Sequence, residues 1–263
     1  MGPPRAWRLF QDGAAGAAWN MSVDEALLLE APETGPALRL YEWREPSVSL
    51  GLRQAEPRWL DRCKALGVPV VRRVSGGGAV LHAGDLTYSV VAPLAAPELP
   101  ADLRGSYEWI RARLIRGLEL AGLSARRSLP ATGADRLELC FAGATGYEVE
   151  LEGEKLVGSA QRRGRRAFLQ HGSIRLADDT VLYRAIAGEA PPAPKPPGIA
   201  PGALRLTLAA SFAEALGHPL ALAELSSRER ALADERSAAR RRCPLLAPSL
   251  VLRSSPELAD TQT

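Results

Sequence analysis

The sequence predicts an α+β domain built on a mixed, largely antiparallel sheet flanked by helices, not a doubly wound parallel sheet. Three observations carry this. Strand-like runs come in neighbouring pairs separated by turn residues, within 37–51, 68–91 and 147–176. Helical patterns fall between those pairs instead of after every strand. Finally, 263 residues with 46% hydrophobic composition can bury one sizeable core, which argues against global disorder, and a formal charge of +3 is too small to argue for nucleic acid by itself.

The elements follow in order. "WRLFQD" (7–12) alternates and opens as a strand. "NMSVDEALLLEA" (20–31) is a helix with Asn20 or Ser22 as its cap and acids near its start. "ALRLYEW" (37–43) and "SVSLG" (47–51) are strands interrupted at Pro46. A helix over 56–67 has Pro57 near its first position and Gly67 past its end, with Trp59, Leu60, Cys63 and Leu66 on one buried face. "VPVVRRV" (68–74) is a β-branched strand, and "AVLHAGDLTYSVVAP" reads as a hairpin turning at Ala83-Gly84. The clearest helix spans 101–123, with Tyr107, Ile110, Leu114 and Leu118 at helical spacing. Successive antiparallel strands fill 147–176, turning near Glu152-Gly153 and Gly164. A proline-rich loop (190–202) leads to two helices over roughly 203–240, and the last ten residues are expected to fray.

Composition bounds the function. Only three of the 33 basic residues are lysines (Lys64, Lys155, Lys195), so each lysine is more informative than usual. Three scattered cysteines argue for a reducing compartment and against a disulfide framework. No apolar leader and no run long enough to span a bilayer stand out, so a cytoplasmic protein with no membrane role is expected. No His/Cys spacing matches a metal site, and no metal is expected. "RRGRR" (162–166) reads as a basic hairpin tip, and no nucleic-acid binding is expected.

The unusual stretch is "RRVSGGGAVLHAGDLTYSVV" (72–91). Three glycines waste backbone entropy unless something approaches the main chain. No Lys-Ser/Thr follows, so this is not a P-loop, and a strand rather than a helix follows, which argues against a dinucleotide fingerprint. Two readings remain: a loop against which an acyl or acyl-adenylate ligand lies, and a bend with no ligand.

"RRVSGGGAVLH…GDLTYS" resembles the signature of the lipoate–protein ligase and octanoyltransferase superfamily. "NMSVDEALL", "RLYEWREPSVSLGLRQ", "KLVGSAQRR" and "LQHGSI" resemble it too, in the same order. The resemblance implies a biotin/lipoyl protein ligase-like (class II synthetase-like) catalytic domain over 1–205, with 206–263 as a helical tail packed on it, acting as a monomer. "CFAGATGYEVELEGEKLVGSAQRR" is similar to the cysteine-dependent octanoyltransferases of the Firmicute type. In that branch the cysteine before Phe is the nucleophile, which is Cys140 here. Cys63 fits a core position and Cys243 has no motif around it.

The implied reaction moves octanoyl from acyl carrier protein to Cys140 as a thioester, then to a lysine of a lipoyl-accepting protein, such as glycine cleavage H protein or a dehydrogenase E2 lipoyl domain. Thioester exchange is close to isoenergetic and amide formation is downhill, so no cofactor is needed. Lys155 would lower the thiol pKa or polarise the acyl carbonyl. The substrate would lie against Ser75, Gly76, Gly77, Gly78 and the 158–161 segment (Gly158, Ser159, Ala160, Gln161). Arg72 and Arg73 point to opposite strand faces, so at most one of them is expected to line the pocket directly. His82, with His171 and Gly172 of "HGSI", either line it or are simply hydrogen-bonded in strands. Two alternatives stay open: an ATP- and Mg-dependent lipoate ligase working through an adenylate, and a non-catalytic binder of lipoyl domains or acyl carriers. A basic rim would suit acidic carrier proteins in each case.

Overall fold

The computed structural model of the chain describes residues 6–128 and 148–245. In chain order the elements are β1 (Arg8–Ala15), α1 (Ala17–Thr34), β2 (Ala37–Trp43), β3 (Ser47–Leu50), α2 (Leu60–Ala65), β4 (Val70–Arg72), β5 (Val80–His82), β6 (Asp85–Pro93), α3 (Leu103–Leu120), β7 (Arg126–Arg127), β8 (Val149–Leu151), β9 (Glu154–Arg163), β10 (Ala167–Arg175), α4 (Thr180–Ala187), α5 (Pro201–Leu216), β11 (Ala221–Leu222) and α6 (Ser227–Arg242).

Among the described residues, one eight-stranded sheet runs β11-β1-β2-β6-β10-β9-β8-β7, and a three-stranded sheet runs β4-β3-β5. Only β1 with β11 and β1 with β2 are parallel in the large sheet. The architecture is therefore α+β with a mixed, mostly antiparallel sheet. At the β8–β9 turn Glu152 (φ 54°) and Gly153 (φ 88°) both take left-handed backbone, as a two-residue hairpin requires.

The expected hairpin at Ala83-Gly84 does not form. β5 pairs with β3 in the small sheet, while β6 pairs with β2 and β10 in the large one. The two residues form a corner between sheets, because each strand finds a better partner elsewhere than in its neighbour. Asn20 and Ser22 are not caps either. α1 starts four residues earlier, at Gly16 as N-cap, and the Asn20 amide donates to Ala15 O and Glu42 O. The predicted 56–67 helix is reduced to Leu60–Ala65, with Leu66 exposed.

Strand alternation gives the large sheet two different faces. Leu86, Tyr88, Val90 and Ala92 of β6, with Leu38, Leu40, Phe168 and Ile174, pack on Ile110, Leu114 and Leu118 of α3 and Leu204, Leu208 and Phe212 of α5. On the opposite face Asp85, Thr87 and Ser89 of β6 and His171, Ser173 and Arg175 of β10 form a buried polar band. That band lies opposite Arg39 and Tyr41 of β2. α1 covers this face, and α6 packs outside α1, where Arg240 and Arg236 reach the buried Glu25 carboxylate. The expected boundary at 205/206 falls inside α5. No helix among the described residues is long and apolar enough to cross a membrane.

Candidate active site

The polar band and the small sheet enclose a narrow pocket. Its wall is built from Met21 of α1, Tyr41 of β2, Ser49 of β3, Arg73, Val80 and His82 of β5, Thr87 of β6, Gly158 to Ala160 of β9 and His171 to Ser173 of β10. The space open to water inside is about 40 Å³, room for roughly three waters by the single-probe measure. Seven of the residues singled out from the sequence thus meet here: Arg73, His82, Gly158, Ser159, Ala160, His171 and Gly172.

Buried charge must be paired or hydrogen-bonded, and the pocket shows how this is done. Arg73 donates from Nη1 to Ser49 O (2.8 Å) and from Nη2 to Gly76 O (2.6 Å) and Gly78 O (2.7 Å). Its Nε donates to Ser75 Oγ (3.2 Å). The arginine therefore folds the glycine loop around its own guanidinium. Arg72 points the other way. Its guanidinium donates to Gly51 O, Gln54 O and Leu245 O and is absent from the pocket wall. The opposite-face expectation for the two arginines thus holds, with Arg73 the inward one.

On the inner side of the loop a Cβ on Gly51 would sit 1.9 Å from Gly77 O, so position 51 admits only glycine while the loop stays put. On the outer side a Cβ on Gly76 would meet nothing within 4 Å. Gly76 and Gly77 face a second, open groove with Arg53, Gln161, Arg162 and Arg163.

Two histidines are each held between a carboxylate and a serine. His171 Nδ1 lies 2.8 Å from Asp24 Oδ2, and its Nε2 lies 2.6 Å from Ser75 Oγ. His82 Nδ1 lies 3.0 Å from Asp85 Oδ2, and its Nε2 lies 2.9 Å from Ser49 Oγ. An ionised carboxylate only accepts, so each Nδ1 carries the hydrogen, and in the neutral imidazole Nε2 then accepts from the serine hydroxyl. Asp24 also accepts from Arg39 Nη1 (2.8 Å) and Tyr41 OH (2.9 Å). Burial pushes its carboxyl up, but the bonds and charges of His171 and Arg39 outweigh that and hold it below the usual carboxylate value. For His171 burial wins over the attraction of Asp24, and the imidazole titrates below its ordinary value. Trp43 stacks on His82 at 3.8 Å and donates from Nε1 to Thr87 Oγ1.

Lys155 is buried on β9 and donates to Glu148 Oε1 at 3.3 Å, three residues before Gly158. It is not on the pocket wall. Cys140 falls within 129–147, outside the described residues. Cys63 is fully buried, and burial pushes its thiol up to about 11, as suits a core residue. Gln161 donates to Gln170 and Ser106 and contributes to the outer groove.

Sequence reasoning missed Asp24, Asp85, Ser49, Tyr41 and Arg39. The signal was present: Asp24 and Asp85 sit inside the "NMSVDEALL" and "HAGDLTYS" motifs, yet a carboxylate at a helix start or strand corner reads as solvated.

Residues 16–199 match the lipoyl protein ligase A/B catalytic domain. The chain is 42% identical over 193 residues to octanoyltransferase LipM of an Exiguobacterium species, covering 69% of this chain and 70% of that protein. It is 39% identical over 259 residues to octanoyltransferase LipM of Kyrpidia tusciae, covering 88% and 94%. A T. acidophilum protein described as a lipoate protein ligase, solved with bound lipoic acid, superposes with a TM-score of 0.73 at 23% identity, covering 88% of this chain and 94% of that one. The chain belongs to the lipoyl protein ligase A/B catalytic-domain family.

Proposed function

We propose that this protein is the octanoyltransferase of lipoate assembly, moving octanoyl from acyl carrier protein through a Cys140 thioester to a lysine of a lipoyl-accepting protein. What carries the reading is a match to an octanoyltransferase along 88% of the chain, within which the matching motifs fold into one pocket. The glycine loop supports it. The protein itself leaves open space at Gly76, so a ligand can approach the backbone there. Lys155, paired with Glu148 beside the segment that carries Cys140, would present its ammonium to the thiol or to the acyl carbonyl oxygen.

The chemistry needs no ATP. The thiolate displaces the carrier thiol from the octanoyl carbonyl, and the target amine then displaces Cys140. The acceptor is a glycine cleavage H protein or an E2 lipoyl domain, and the reaction takes place in the cytoplasm. Arg53 and Arg162 on the outer groove, and Arg165 and Arg166 at the β9–β10 tip, give acidic carriers a basic approach.

The test is a transfer assay on purified protein with an apo lipoyl domain, read by mass. Octanoyl-acyl carrier protein without nucleotide should add one octanoyl group to the domain lysine. Transfer only from the free acid with Mg-ATP would instead establish a ligase, and tight binding without turnover from either donor a non-catalytic binder.

A further inference from the structure

The groove outside the glycine loop differs in kind from the narrow pocket inside it. Its wall carries Arg53, Arg162 and Arg163 and no carboxylate, and about 560 Å³ of it is open to water. The three arginines are not alike. Arg163 is committed to the fold: it donates to Ser106 Oγ (3.0 Å), Gln161 Oε1 (2.9 Å) and Ala101 O, and lies over the Phe168 ring. Arg162 is turned the other way. β9 pairs it with Leu169, two positions from the Ala160–His171 pair, so strand alternation puts it on the polar-band face while Gln161 and Arg163 reach Ser106 of α3. Neither Arg162 nor Arg53 has an ion-pair or hydrogen-bond partner among the described residues.

The glycine backbone supplies further donors. Leu52 N–H donates to Ser75 O (2.7 Å), and Arg73 Nη2 donates to Gly76 O. In a trans peptide the N–H points opposite to its carbonyl, so the N–H groups of Gly76 and Gly77 are turned away from Leu52 and Arg73. Both glycines are exposed, and no described group accepts from either N–H. Neighbouring N–H groups and unpaired guanidinium forks together match the oxygens of a phosphate.

We propose that this groove is a phosphate subsite for the acyl donor, taking the phosphodiester of the carrier's pantetheine arm. The proposal rests on the transferase reading above. Two features select this ligand among anions. No aromatic ring lines the groove on which a nucleobase could stack, which disfavours a nucleotide. And β9 runs unbroken from the groove to the inner pocket, with 161–163 lining the first and 158–160 the second. With Met21, Tyr41, Val80 and Ala160 on its wall, the pocket suits a hydrocarbon chain. A ligand lying along β9 is thus met by apolar surface at one end and by cations at the other. A free fatty acid carries its charge next to the chain, whereas an acyl group on a pantetheine arm carries it set back, beyond the arm.

The test uses non-reacting ligands on the full chain, so that binding is read apart from turnover. S-octyl phosphopantetheine and S-octyl pantetheine are thioethers that differ only in the phosphate, which separates a phosphate subsite from general attraction to an acidic carrier. Calorimetric titration should show the phosphorylated ligand binding roughly 10-fold tighter or more, the worth of one hydrogen bond to a charged group. Arg162→Gln and Arg53→Gln should each bring that ratio towards one, with thermal midpoints near wild type because neither side chain is paired in the fold. A wild-type ratio near one, or a ratio that neither substitution lowers, overturns the subsite. So does a loss confined to Mg-ATP binding, which would assign the groove to a nucleotide. Nucleotide-free transfer from octanoyl-acyl carrier protein is measured alongside. Its absence overturns the transferase reading, and its presence with no phosphate preference overturns the subsite alone.

Discussion

Replacing Asp24 by Asn tests whether the buried polar band is held by charge. The side chain is fully buried and accepts from Arg39 Nη1, Tyr41 OH and His171 Nδ1, all within 2.9 Å. An asparagine offers one acceptor oxygen and turns an NH2 towards the other donors. Removing one partner of a buried ion pair costs about 3–5 kcal/mol. Arg39 keeps Asp12 at 2.6 Å and Asn20 O at 3.0 Å, which favours the lower end. With a urea slope of about 2 kcal/mol/M, a loss of about 3 kcal/mol moves the unfolding midpoint down by about 1.5 M. The sign with pH follows from the lowered carboxyl. Asp24 stabilises the fold above its ordinary value of 3.8 and stops doing so as pH falls through the lower folded value. The deficit of Asp24→Asn should therefore be complete at neutral pH and shrink only in acid. Equilibrium urea unfolding at pH 7 and at pH 4 and below measures both. A midpoint within a few tenths molar of wild type at pH 7, or a deficit that grows in acid, refutes the reasoning.

Other expectations are more quickly stated. Gly51→Ala should push Gly77 outward, costing about 1–3 kcal/mol by overpacking and lowering transfer activity beyond what the thermal midpoint accounts for. Because His171 titrates below 6.5 when folded, its contribution is fully present above 6.5 and is lost as pH falls towards the folded value, so stability should slope down with acid there. His171→Gln should flatten that slope in urea titrations run from pH 7 to 5. Arg72→Met should lower the thermal midpoint while leaving the substrate KM near wild type, since Arg72 serves only backbone carbonyls; Arg73→Lys should raise KM.

Local pattern was legible where one segment decides its own state. β2 spans the predicted 37–43, and the Glu152-Gly153 turn, the long helix α3 and the two tail helices fall where the sequence puts them. Partner choice was not legible. "AVLHAGDLTYSVV" alternates in the same way whether its halves pair with each other or with strands distant in the chain. Nothing in the sequence reading places a helix at Thr180–Ala187, whose Tyr183 and Ile186 fill the core under the small sheet. The site was half visible. Glycines and histidines stand out by type, but Asp24 and Asp85 became site residues only because α1 is covered on both sides and the β5–β6 corner is buried. α1 carries Asn20, Ser22, Asp24, Glu25 and Glu30 all buried, which removes the polar face that a sequence pattern would assign to solvent.

The central claim is a covalent octanoyl group on Cys140. Intact mass of the full chain after brief exposure to octanoyl-acyl carrier protein, with no nucleotide and no acceptor, tests it most directly. One octanoyl adduct should form, map to Cys140, disappear on adding an apo lipoyl domain, and be absent in Cys140→Ala. An unmodified enzyme that still octanoylates the domain, or an adduct that survives Cys140→Ala, contradicts the account.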